Sequence, residues 1–200
     1  MAVVDISTEV LDELKKDFGI QVVPFTTLIS SDKEENVLSY TVADKVQGVE
    51  LPRAKIGEQE AKQFFSALLN YHIDKYYNGG FFLADLKEYD FMYGNTSRNP
   101  LRKIYLVDLD HSYEFFNNSD PRSKNEYFSI NLEHLGYLLN LLEKNSQSDF
   151  SQLRKSYLEF LREIKDSLHP EDQETIDNIL EKNRKLTTED MGVGLPKRRF

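Results

Sequence analysis

Two hundred residues, 40% of them hydrophobic and 12% aromatic, are enough for one globular domain with a sizeable core. A net charge of −9 and a pI near 5.0 argue against a nucleic-acid footprint, which is normally basic, and the absence of cysteine excludes a disulfide framework and thiolate metal sites. No apolar run approaches the ~20 residues that a membrane span needs, and Met1-Ala2-Val3-Val4-Asp5 lacks a basic signal-peptide start, so a soluble cytoplasmic protein is expected.

In chain order, residues 7–18 read as a helix: Ser7 can cap it, Val10, Leu11, Leu14 and Phe18 form an apolar stripe, and Gly19 ends it. Residues 20–29 and 37–42 are β-rich, and the charged turn 31–36 between them predicts a hairpin, with Pro24 at an edge or bulge. A connector over 43–51 leads to a helix over 58–77, where Phe64, Phe65, Leu68, Leu69 and His72 share one face. On such a face His72 reads as packed rather than ligating. Gly79-Gly80 breaks this helix and delivers the chain to the strand Phe81-Phe82-Leu83. Two more apolar strands begin at Phe91 and Ile104. Residues 94–100 between them read as a surface excursion, and the small basic cluster Arg98, Arg102 and Lys103 reads as solvated. A polar segment follows to Asn125. Helical stripes then run over 129–144 and 149–168, and a third helix starts at Pro170, a residue suited to a first turn. The tail from Thr187 ends in Lys197-Arg198-Arg199-Phe200 and is expected to be mobile.

The chemistry-bearing residues lie around the short strands. Asp85 sits in a polar loop, Asp90 stands at the start of one apolar strand, and Asp108 closes another. Phosphoryl transfer is mostly positioning: one group orients the attacking hydroxyl while others hold Mg²⁺ against the phosphates, and three carboxylates so spaced suit that task. Aspartates that merely cap turns would produce part of the same pattern.

This stretch resembles the catalytic half of the protein-kinase-like superfamily, in which the loop H-R-D-L-K-x-x-N precedes an apolar strand and D-F-G holds the metal. The resemblance implies that Asp85 is the catalytic base or hydroxyl-orienting group and that Lys87 sits near the transferred phosphate. Asp90 falls in the place of the metal-binding asparagine, and Asp108 in that of the principal Mg²⁺ ligand. The family's His-Arg pair is replaced by Leu83-Ala84, and D-F-G reads Asp108-Leu109-Asp110. No A-P-E follows, and there is no room for a long activation segment. That leans toward the small-molecule branch, similar to the aminoglycoside phosphotransferases and lipopolysaccharide kinases. His111, beside the metal motif, reads as structural.

The first fifty residues resemble the last part of a kinase small lobe, which would make Lys45-Val46-Gln47 the hinge whose backbone binds adenine. Leu135-Gly136-Tyr137-Leu138-Leu139 is similar to part of the large-lobe core helix, with Asn131 where protein kinases have an aspartate. Nothing before residue 7 supplies the Gly-rich strand pair or the V-A-I-K lysine; Glu9 and Glu13 are the candidates for the glutamate that pairs with that lysine. The implied fold is α+β and kinase-like, with a reduced N-terminal lobe and hinge over 1–50, a mainly helical lobe over 51–186 and a mobile basic tail over 187–200. The implied cofactors are Mg²⁺ and ATP, and the implied acceptor is a small-molecule or glycan hydroxyl. The alternative is a non-catalytic, pseudokinase-like module that meets a protein partner through the helical half or the basic tail. A plain α+β domain with unrelated aspartates is the third reading.

Overall fold

A computed structural model describes residues 13–23, 25–31, 37–79, 81–83, 86–108, 113–115 and 121–190. The architecture is α+β. The described part of the first helix, α1, covers residues 13–16, and Gly19, at φ 71°, takes the chain out of it in a conformation that costs glycine little. The Ile20 N–H donates to the Leu14 carbonyl at 2.9 Å and seals that end. The later helices are α2 (Glu58–Asn78), α3 (Pro121–Ser146), α4 (Ser151–Lys165) and α5 (Pro170–Asp190).

Two helix boundaries correct the sequence expectation. Helix α3 begins at Pro121 and not near residue 129, because its first turns are polar and carry no apolar stripe. A proline at the opening position was the available start signal. Helix α5 runs through Asp190, past the residue where a mobile tail was expected, and residues 191–200 lie outside the described residues.

The strands are β1 (Gln21–Val22), β2 (Phe25–Ser31), β3 (Val37–Ala43), β4 (Gln47–Glu50), β5 (Phe81–Leu83), β6 (Phe91–Asn95), β7 (Lys103–Leu106) and β8 (Tyr113–Phe115). They form a four-stranded sheet in the order β1-β7-β6-β4 and two two-stranded sheets, β2-β3 and β5-β8. Residues 20–29 are therefore not one strand. β1 pairs in parallel with β7, the Val23 N–H prolongs that contact by donating to the Leu106 carbonyl at 3.0 Å, and β2 pairs only with β3. A proline at 24 has no N–H with which to continue a ladder.

The connector likewise contains a strand, β4, antiparallel to β6 with Gly48 opposite Gly94. A Cβ on Gly94 would stand 2.5 Å from the Gln47 carbonyl oxygen and 2.7 Å from the Gly48 Cα, so the close approach requires glycine. The turn after β6 is tied down rather than loose. Thr96 is buried, and it exchanges backbone hydrogen bonds with Asn99 at 3.0 and 3.2 Å.

Strand alternation divides the sheet into two faces. Phe91, Ile104 and Leu106 enter the helical core, where Phe91 meets Phe64 edge to face at 5.0 Å. Tyr105 belongs to a second cluster with Val23 and Val46, flanked by the half-buried Met92 and Val107. Helix α1 is held to α2 by Lys75, which is 3% exposed, pairs with Glu13 and lies over the rings of Phe18 and Tyr71. Among the described residues no helix is long and apolar enough to cross a membrane.

Candidate active site

The site is built on the chain from β5 through the β6–β7 hairpin. Tyr71, buried on α2, accepts the Leu83 N–H on its hydroxyl at 2.8 Å. Asn131, buried on α3, donates its amide N–H to the Leu83 carbonyl and accepts the Leu86 N–H at 3.1 Å. One side chain thus grips the backbone on both sides of residues 84–85. Leu83 and Leu86 are themselves buried, which anchors both flanks in the core. Asp85 lies outside the described residues.

After Leu86 the backbone makes a 3₁₀ turn over Glu88–Asp90. The Asp90 carboxylate accepts the Lys87 N–H at 2.7 Å, and the Asp90 N–H returns to the Lys87 carbonyl at 3.1 Å. The Val107 N–H donates to the Asp90 carbonyl at 2.8 Å, one step beyond the Phe91–Leu106 pair of the ladder. That bond places Asp90 and Asp108 at the same end of the hairpin. Asp108 and Lys87 are exposed there, and Asp90 is half-buried.

The three residues expected to form a hinge lie between the end of β3 and the start of β4. Lys45 is exposed, Val46 is buried in the second-face cluster, and Gln47 opens β4 opposite Asn95. Asn95 lies five residues along the chain from Asp90, a span of roughly 16 Å at strand rise. The basic cluster of the β6–β7 turn is dispersed among separate partners. Arg98 pairs with Asp44 at 3.3 Å, Arg102 stacks over Tyr93 at 4.6 Å, and Lys103 pairs with Glu60 at 2.9 Å. His111 lies outside the described residues.

His72 is packed, as its helix face indicated. It is 1% exposed, and its Nδ1–H donates to the Leu68 carbonyl at 2.6 Å. Burial pushes the imidazole down to about 4, so it is neutral at physiological pH. The hydroxyl of Tyr105 is buried without a hydrogen-bond partner among the described residues.

Among the described residues no group of three or more His, Cys, Asp or Glu side chains gathers as a metal cluster. Magnesium does not require one, because it is commonly held by one or two carboxylates together with water and substrate phosphates. Asp90 and Asp108 offer hard oxygen donors of that kind. A cleft of about 270 Å³ between Gly19, α2 and β7 touches neither of them; its polar rim includes the Lys103–Glu60 pair.

The supporting residues were harder to find in the sequence than the carboxylates. Asn131 stood out by its place in the core-helix motif, but nothing marked it as a two-sided backbone clamp. Tyr71 and Lys75 carried no signal beyond being polar atoms on an otherwise apolar helix face. No protein-family model matches the chain, and no curated protein matches it.

Proposed function

We propose that this chain is a kinase-like, phosphotransferase-lineage domain that binds a Mg²⁺-nucleotide and directs its phosphate to a hydroxyl of a small molecule or glycan. The observation that carries this reading is the second face of the four-stranded sheet. That face carries the apolar cluster of Val23, Val46 and Tyr105 flanked by the half-buried Met92 and Val107, and Val107 adjoins Asp108 at the end of the hairpin where Asp90 also stands. An apolar platform leading to two carboxylates suits a ligand with a flat base at one end and a metal-bound polyphosphate at the other.

On this reading Val46, Met92 and Val107 support the base beside the Lys45–Gln47 backbone. Asp90 and Asp108 present oxygens to Mg²⁺, and the Lys87 ammonium faces phosphate charge. Asp85 orients the acceptor hydroxyl and takes its proton. The bound Mg²⁺-nucleotide would supply the phosphoryl group with its charge partly neutralised. The clamps by Asn131 and Tyr71 hold Leu83 and Leu86, on either side of residues 84–85, and misplacement of a reacting group by about 1 Å can cost on the order of a hundredfold in rate.

Calorimetric titration with ATP, with Mg²⁺ and then with EDTA, tests the reading. Mg²⁺-dependent binding that Asp108→Ala abolishes while the circular dichroism spectrum is kept is the expected result. Equal affinity in that variant, or no binding at millimolar ATP, rejects the metal assignment.

One observation favours the non-catalytic alternative. Glu13, a candidate for the glutamate that a kinase pairs with its phosphate-side lysine, is engaged instead by Lys75 of α2. Mg²⁺-nucleotide binding without phosphate loss to any hydroxyl acceptor, combined with capture of a protein partner, would select that reading.

A further inference from the structure

The sequence between β4 and α2 and the end of α3 come together around a second cleft, of about 480 Å³. It lies outside the residues assigned to phosphotransfer. Arg53, Lys55 and Lys144 line it, and none of its lining residues is acidic. In a chain of net charge −9 this is a local reversal of sign.

The nearest acids in sequence are turned to other work. Glu143 pairs with Arg154 and also accepts the Phe150 N–H at 3.3 Å. Glu50 reaches Arg53 only at 3.6 Å, between exposed side chains. Lys55 and Lys144 are exposed and have no ion-pair partner among the described residues.

Cations at a helix C-terminus often do no more than compensate its exposed carbonyls. Here three of the last four carbonyls have donors: the Ser148 N–H donates to the Glu143 carbonyl at 3.4 Å, the Ile56 N–H to the Asn145 carbonyl at 3.4 Å, and Ser148 Oγ to the Ser146 carbonyl at 3.0 Å. Asn145 also ties the two walls together by donating its side-chain amide to the Leu51 carbonyl at 2.9 Å. The walls are therefore fixed while the two lysine ammonium groups remain available.

We propose that this cleft is a binding site for a soluble, multiply charged phosphate compound. The volume is that of a small-molecule pocket and too small to seat a folded partner. Two point-charge ammonium groups and one guanidinium match the several oxygens of a phosphate ester or polyphosphate.

Tripolyphosphate, titrated by calorimetry in EDTA at low salt, is the probe. The chelator keeps any Mg²⁺-dependent site silent, and Asp108→Asn serves as the control for that site. Binding that weakens about tenfold or more in the Lys55→Gln/Lys144→Gln double variant, and is unchanged in Asp108→Asn, supports the proposal. Both lysines are exposed, so the double variant should keep the parent's thermal midpoint, which is measured alongside. Absence of binding, or equal affinity in the double variant, overturns it. Citrate or a polyglutamate peptide bound as tightly as tripolyphosphate overturns the assignment to phosphate.

Discussion

Among the described residues the antiparallel hairpins β2–β3 and β6–β7 are held in place by different means. The first has the longer ladder, from Phe25 opposite Ala43 to Ser31 opposite Val37, yet it forms a sheet of its own. The second is shorter but lies between β1 and β4, drives Phe91, Ile104 and Leu106 into the helices, and carries Asp90 and Asp108 at one end. A ladder fixes two strands relative to each other; only neighbours beside and beneath them fix both relative to the molecule. The acid pair sits on the hairpin that has those neighbours.

Removing what lies beneath β6–β7 should have the largest effect. Phe91 is fully buried against Phe64, so Phe91→Ala is expected to cost about 3–5 kcal/mol, read as a lower urea midpoint. A loss below about 1 kcal/mol would mean that the hairpin does not depend on the helical core.

Acid should loosen the same core. The folded pKa of His72 is about 4 against an ordinary value of 6.5, so between those values the unfolded chain binds more protons and stability falls as the pH is lowered. The contribution is complete above pH 6.5 and is lost toward pH 4, with a limit of about 3 kcal/mol. Denaturation of His72→Gln across this window should show a shallower pH slope than the parent. An identical slope would remove His72 from the account.

Asn131→Ala deletes the clamp beside the hairpin and is expected to cost about 2 kcal/mol, since it strips the Leu83 carbonyl and the Leu86 N–H of a buried partner. Hydrogen exchange at Leu86 should accelerate more than exchange at Leu106, which is held by the ladder. Equal acceleration at both would show that the clamp acts globally. The smallest effect belongs to the other hairpin: Val42 is 58% exposed, and Val42→Ala should change stability by no more than about 0.5 kcal/mol.

What could be read from the sequence follows from the range of the interactions involved. The stripes of α2 and α4 were legible because their apolar residues recur with helical spacing. The opening of α3 was not, because its first turns are polar and its proline was the sole cue. Asp90 and Asp108 could be noticed as residues bounding apolar strands. Their arrangement depends on the Val107–Asp90 bond, and the anchoring of Leu83 and Leu86 on an asparagine 45 residues beyond Leu86. The division of residues 20–29 between two sheets was hidden for a similar reason: β1 finds its partner in β7, far along the chain. Local periodicity contains no information about such pairings.

The opposed glycines of β4 and β6 constrain how this chain can drift over generations. A methyl group at position 94 would strike the Gln47 carbonyl and the Gly48 Cα, and one at position 48 would strike the Tyr93 carbonyl. The obstacle in both cases is backbone, so no compensating side-chain change at the facing position can relieve it. Homologous sequences should therefore retain glycine at both positions or lose both together. A lineage that lost the pair would be one in which β4 had left the sheet, leaving β6 as its edge.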